Sequence, residues 1–202
     1  MKSVERVALF GGSFDPVHRG HLFLAEQAVE ACSLDRVVFL PCWKSPHKAG
    51  REISDSGDRV AMLEIATEGI DWAEVSRWEV EREEPSYSWM TAEYFAKELE
   101  DDAELFWIVG TDQWEVIETW AKPEVLARLL TFVVFPRGGV AEPKEGFRMV
   151  PVDASFDASS TEVRRRVGAG ESCGELLEPG VEELIEERGL YLQGSSLDPG
   201  IL

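Results

Sequence analysis

His18 and His21 stand three residues apart at the end of Gly11-Gly12-Ser13-Phe14-Asp15-Pro16-Val17-His18-Arg19-Gly20-His21. An apolar run, residues 7–10, precedes this stretch, and a helical pattern follows it. The spacing puts both imidazoles on one side of a first helical turn. A helix N-terminus carries unpaired N–H groups and partial positive charge, which favour a phosphate. Imidazoles there can donate to phosphate oxygens and take up charge as it develops. Gly11 and Gly12 let the backbone come close to a ligand, and Pro16 fixes one turn of the loop. The stretch is neither a Walker A loop nor GxGxxG. A zinc site completed by Cys42 or His47 is the alternative use of two histidines, but a His-x-x-His pair by itself is thin support for one.

A second stretch has matching chemistry. In Ser159-Ser160-Thr161-Glu162-Val163-Arg164, Ser159 and Glu162 have the spacing of a capping box, so a helix starts there. Its first-turn N–H groups, the hydroxyls of Ser160 and Thr161 and the Arg164 guanidinium would make another anion cradle. Taken alone, these residues also describe an ordinary helix cap. Lys44, His47, Lys48 and Arg51 crowd one loop in a chain whose net charge is −19. Cations concentrated in so acidic a protein are either a local phosphate pocket or a solvated surface. The overall charge disfavours nucleic acid and anionic membrane as partners.

These residues need a frame. Apolar or alternating runs predict strands at residues 5–10, 36–41, 73–78, 105–109, 131–135 and 147–152. Helices are expected at 20–33, 58–68, 87–100, 112–119, 123–130, 160–167 and 181–188. Strands that alternate with helices and are apolar throughout belong to a parallel sheet covered on both faces, an α/β fold. Ligands of such sheets sit at the carboxyl ends of the strands, where strand order reverses. Residues 11–21, 41–48 and 110–112 all fall at such ends. With 202 residues, 44% of them hydrophobic, the chain suits one domain. No run is long enough to span a membrane, no signal peptide is evident, and three scattered cysteines indicate a reducing, cytoplasmic setting.

The paired stretches resemble the two signatures of the HxGH nucleotidyltransferases. Within that superfamily, Lys44-Ser45-Pro46-His47-Lys48, Pro85-Ser86-Tyr87-Ser88, Gly110-Thr111-Asp112 and Thr119-Trp120 are similar to segments of the bacterial nicotinate-nucleotide adenylyltransferases. The likeness runs over roughly residues 5–192. It implies a single-domain, Rossmann-like, doubly wound parallel sheet over residues 1–192, with a loosely packed tail at 193–202. It implies adenylyl transfer from ATP, accompanied by Mg²⁺, to nicotinate mononucleotide, with release of pyrophosphate. Another acceptor, such as nicotinamide mononucleotide or phosphopantetheine, and a nucleotide-binding regulator without turnover are the alternatives. By position, Gly11, Gly12, Ser13, Phe14, His18, His21, Ser160, Thr161 and Arg164 would hold ATP. His18, His21 and Arg164 would act in catalysis. Lys44, His47, Lys48, Ser88, Asp112, Trp120 and Ala121 would meet the mononucleotide, with Asp112 on a ribose and Trp120 on the pyridine ring. No dedicated protein metal cage is expected. Ala121 stands where a larger residue commonly follows the tryptophan, which bears on discrimination between nicotinate and its amide. Oligomeric state stays open, and Arg137-Gly138-Gly139 is read as a loop near ATP.

Overall fold

The computed structural model describes residues 4–44, 53–100, 102–136 and 141–192. The tail at 193–202, the Arg137–Gly139 loop and residues Ser45, Pro46, His47, Lys48 and Arg51 lie outside the described residues.

Six parallel strands form one sheet: β1 (Arg6–Gly12), β2 (Arg36–Pro41), β3 (Ala73–Val75), β4 (Glu104–Gly110), β5 (Leu130–Phe135) and β6 (Arg148–Pro151). Their spatial order is β3-β2-β1-β4-β5-β6, so the direction of winding reverses between β1 and β4. The register places Gly12 beside Pro41 and Leu9 beside Trp107, which brings the ends of β1, β2 and β4 to one edge. This is the doubly wound α/β fold expected from the sequence.

The strands are apolar on both faces because helices cover both. Ala8, Phe10, Phe39, Ile108 and Phe135 face one core, closed by α1 (Arg19–Cys32), α2 (Ser56–Thr67), α7 (Ser160–Ala169) and α8 (Pro179–Glu187). Val7, Leu9, Leu40, Trp107 and Val134 face the other, closed by α4 (Ser88–Glu98), α5 (Thr111–Glu115) and α6 (Pro123–Leu129). Alternate strand residues thus divide between two cores, as the pleat demands.

Two elements differ from the sequence expectation. The strand expected at 73–78 stops at Val75, and Trp78–Glu81 forms a short helix, α3. The Ser76 N–H makes the last bond to β2, at the Phe39 carbonyl (3.0 Å). The Ser76 hydroxyl then accepts the Trp78 N–H at 3.3 Å and turns the chain. The helix expected at 112–119 is interrupted after Glu115, and a 3₁₀ turn follows at Ile117–Thr119. There Thr119 Oγ1 donates to the Val116 carbonyl at 2.7 Å. Among the described residues, no helix is long and apolar enough to cross a membrane.

Candidate active site

The reversal between β1 and β4 opens a cavity of about 530 Å³. Gly11, Gly12, Ser13, Phe14, His18, His21, Ser160, Thr161 and Arg164 all line it. Every residue expected on the ATP side is therefore gathered in one place, although the two signatures lie far apart in the chain.

The two glycines have specific reasons to be small. A Cβ on Gly11 would lie 3.0 Å from the Trp107 ring, and one on Gly12 would lie 3.0 Å from the Phe14 ring. Phe14 has a left-handed backbone, φ 46°, which is uncommon for a side chain of this size. Its ring is fully buried, edge-on to His21 with centroids 5.0 Å apart and against Phe10 at 5.6 Å. Phe14 thus buttresses His21.

His18 is the N-cap of α1, in extended conformation. Its ring stacks on that of His21, with centroids 3.7 Å apart and planes at 29°. The His18 backbone N–H donates to His21 Nδ1 at 3.2 Å. An Nδ1 that accepts leaves the ring proton on Nε2, so His21 presents Nε2–H as its donor. His18 is 6% exposed and His21 half-buried, and both border the cavity.

α7 closes the opposite wall. Ser159 caps it, its hydroxyl accepting the Glu162 N–H at 3.1 Å. The Glu162 carboxylate pairs with Arg165 and Arg166, which hold it well below the usual carboxylate range, at about 2. Ser160 Oγ donates to the Pro16 carbonyl at 2.9 Å. The Arg164 guanidinium donates to the Asp15 carbonyl and, at 3.2 Å, to Thr161 Oγ1. Two of the three residues expected to hold phosphate on α7, Ser160 and Arg164, therefore also tie it to the histidine loop. Arg164 has further N–H donors to offer a ligand.

The loop is pinned from beneath by residues that sequence reasoning missed. Asp15, 3% exposed, accepts the Tyr191 hydroxyl at 2.8 Å and the Ser54 N–H at 3.3 Å. Burial and the Asp15 carboxylate push the Tyr191 phenol well up, so it keeps its proton and donates. Arg59, only 1% exposed, reaches the Ser13 carbonyl at 2.8 Å and the Ser54 carbonyl at 3.0 Å. The Arg19 N–H donates to the Leu176 carbonyl at 2.8 Å. Arg59 carried a readable signal. Met62, Leu63 and Ala66 follow it at helical spacing, which puts a guanidinium on a buried face. Tyr191 had no such local signal. Phe156, on the segment before α7, also lines the cavity and contacts Phe23 with ring centroids 5.6 Å apart.

The described residues expected at the mononucleotide lie outside this cavity. Lys44 is exposed at the end of β2 and bridges to Pro85. Ser88 opens α4, and the next residue, Trp89, carries the Lys122 ammonium 3.3 Å above its ring. Ala121 is exposed beside that lysine. Trp120 is 8% exposed and packs in the α4/α6 core, as do Trp107 and Trp114. Asp112 is exposed on α5. None of these residues lines the 530 Å³ cavity. His47 and Lys48 fall outside the described residues. Among the described residues, no group of three or more His, Cys, Asp and Glu is assembled for a metal, and Cys42 is buried.

The chain is similar to proteins already known. Residues 9–166 match the cytidylyltransferase-like family. A protein of Methylacidiphilum infernorum named "Probable nicotinate-nucleotide adenylyltransferase" is 36% identical over 189 residues, covering 93% of this chain and 92% of that one. A Clostridium botulinum protein of the same name is 33% identical, covering 93% and 98%. A solved structure of Plasmodium falciparum nicotinic acid mononucleotide adenylyltransferase complexed with NaAD superposes with a TM-score of 0.75 at 16% identity, over 93% of this chain and 97% of that one. The last likeness is one of fold. By its relatives, the chain belongs to the cytidylyltransferase-like family and, within it, to the nicotinate-nucleotide adenylyltransferases.

Proposed function

We propose that the chain transfers the adenylyl group of ATP to nicotinate mononucleotide, giving nicotinate adenine dinucleotide and pyrophosphate. One observation carries the reading. The stacked His18–His21 pair and the Thr161–Arg164 end of α7 face each other across a single cavity at the sheet's reversal point.

The acceptor's phosphate monoester has a second pKa of about 6, so it is largely dianionic at neutral pH and attacks without a general base. A bond forms between its oxygen and the α-phosphorus. The bond from that phosphorus to the β-phosphate oxygen breaks, and pyrophosphate leaves with the electron pair. The protein has to bring two anions together and meet the charge that grows on the leaving group. His21 Nε2–H and the His18 ring supply donors from one side. Arg164 and the α7 N-terminus supply charge from the other. Gly11 and Gly12 leave room for the phosphates to approach the backbone.

The donor set around the cavity is rich in N–H and hydroxyl groups and, among the described residues, assembles no carboxylate cage. A Mg²⁺ ion would come in on the ATP phosphates, where it would neutralise charge. On the other side of β1, Lys44 and the Ser88 and Ala121 backbone would receive the mononucleotide, with His47 and Lys48 from the same loop as Lys44. Trp120 and Asp112 would take the pyridine ring and a ribose.

The test is pyrophosphate release from ATP and Mg²⁺ with four acceptors in parallel: nicotinate mononucleotide, nicotinamide mononucleotide, phosphopantetheine and glycerol phosphate. Release with the first, well above the second, is the expected result. Equal use of both pyridine nucleotides would make the enzyme dual-specific, as the small Ala121 side chain would allow. Activity with only one of the other two would overturn the assignment of the acceptor. ATP binding without release in all four would favour a regulator.

A further inference from the structure

Arg59 is a buried cation that the mechanism above does not use. It lies on α2, is 1% exposed, and does not itself line the cavity. Its partners are main-chain carbonyls: Nε donates to that of Ser54 at 3.0 Å and Nη1 to that of Ser13 at 2.8 Å. Among the described residues it forms no ion pair. The Ser54 N–H in turn donates to the Asp15 carboxylate at 3.3 Å. One guanidinium therefore holds the loop on both sides of Phe14, at Ser13 directly and at Asp15 through Ser54.

Burying a guanidinium with no carboxylate against it is costly. A neutral donor could satisfy the Ser13 carbonyl, so the charge calls for an explanation of its own. The peptide between Ser13 and Phe14 gives one. It is trans, so its C=O and N–H point to opposite sides. The carbonyl turns to Arg59, out of the cavity, which turns the Phe14 N–H towards the cavity that Ser13 and Phe14 line. Among the described residues that N–H donates to no protein group. Phe14 is 1% exposed, and an N–H unpaired at such a place calls for an acceptor. A charged donor on the C=O also polarises the amide and strengthens the N–H at its other end. Flipping this peptide would change the φ of Phe14, whose value of 46° is the uncommon one. The bond from Arg59 opposes that flip and keeps the strained conformation.

We propose that Arg59 is a positioning residue for the nucleotide's phosphates: by holding the Ser13 carbonyl it keeps the Phe14 N–H turned into the cavity, and its charge, relayed through the peptide, makes that N–H a stronger donor to an anion. The proposal rests on the reading of the cavity as the ATP side. It needs an anion there and no particular acceptor.

The test uses the full chain, inorganic tripolyphosphate as the anion, and the variants Arg59→Met and Arg59→Lys. Methionine fills much of the space without charge, and lysine keeps the charge but loses the fork that reaches both carbonyls. The first readout is the amide spectrum of the wild-type chain by NMR. Saturating tripolyphosphate should move the Phe14 amide proton downfield, while the Arg19 amide, already bonded to the Leu176 carbonyl, moves little. The second readout is affinity and KM. Arg59→Met should weaken tripolyphosphate binding about 10–100-fold and raise the ATP KM by a similar factor, with the acceptor KM within about twofold. Arg59→Lys should recover part of that loss. A Phe14 amide that stays still at saturation would overturn the proposal, and this measurement needs no variant to fold. So would the absence of saturable binding, wild-type affinity in a folded Arg59→Met chain, or equal weakness of the two variants. A Phe14 response without turnover of nicotinate mononucleotide would overturn the acceptor reading and support the role of Arg59.

Discussion

Asp15 and Glu79 are both buried carboxylates, one in the histidine loop and one on α3, and their partners differ in kind and in origin. Asp15 takes a phenol from Tyr191, an amide from Ser54 and the neighbourhood of the Arg164 guanidinium, 3.9 Å from its Oδ2. Glu79 takes the hydroxyl of Thr91 at 2.6 Å, close by in the chain. The ATP side is thus closed by contacts that reach across the whole fold. The acceptor side is a local module of α3, α4 and the β2 end. On the reading proposed above the two substrates would meet at one phosphorus atom, while the walls assigned to them are held by separate sets of contacts.

The comparison can be broken by substitutions on the ATP side that disturb acceptor binding. The largest expected effect is that of His21→Ala. Loss of a donor aimed at the leaving phosphates should lower kcat by about 10²–10³-fold, with Tm little changed. Near-normal turnover in a folded variant would remove His21 from its role. Next comes Arg164→Ala, which loses both a phosphate donor and a tie to the Asp15 carbonyl. It should raise the ATP KM by about 10–100-fold, since charge-assisted bonds are the strong ones, and spare the acceptor KM. Equal losses for both substrates would mean the two sides are not separable.

Tyr191→Phe sharpens the contrast, because it deletes one hydroxyl far from either ligand. It should cost about 1 kcal/mol in urea unfolding and raise the ATP KM several-fold, with the acceptor KM unmoved. The smallest effect belongs to Glu162, whose side chain is 38% exposed on α7. Arg165 and Arg166 lower its pKa from 4.5 to about 2 in the folded chain. Its contribution to stability is therefore present above pH 4.5 and lost as pH falls towards 2. The Tm of Glu162→Gln should sit slightly below wild type near pH 6 and converge with it as pH falls through that window. A constant gap across the whole range would exclude the ion pairs as its cause.

Much of this was legible in the sequence because it is local. The apolar strands, the histidine loop and the Ser159 cap are written in runs of a few residues, and the structure reproduces them. The ATP-side residues were named from two short stretches, and the fold gathers all of them around one cavity. What stayed hidden depends on distance or on context. Nothing around Tyr191 says that its hydroxyl meets a residue 176 positions earlier. Glu79 sits in the run Glu79-Val80-Glu81-Arg82-Glu83-Glu84, which reads as solvated charge, yet it is the one turned inward on a helix the sequence did not announce. Trp120 differs again: expected at a ligand by position, it is 8% exposed and packs with the α4/α6 core, a burial that its local sequence does not announce.

The tie between Tyr191 and Asp15 also sets an order in time. Domains are made N-terminus first, so the histidine loop leaves the ribosome long before its supports do. A nascent chain stalled near residue 170 already carries both histidines and Arg164. It still lacks the Leu176 carbonyl that receives the Arg19 N–H and the Tyr191 hydroxyl that holds Asp15. The contacts that hold the loop under the histidines are complete only when those last pieces have been made.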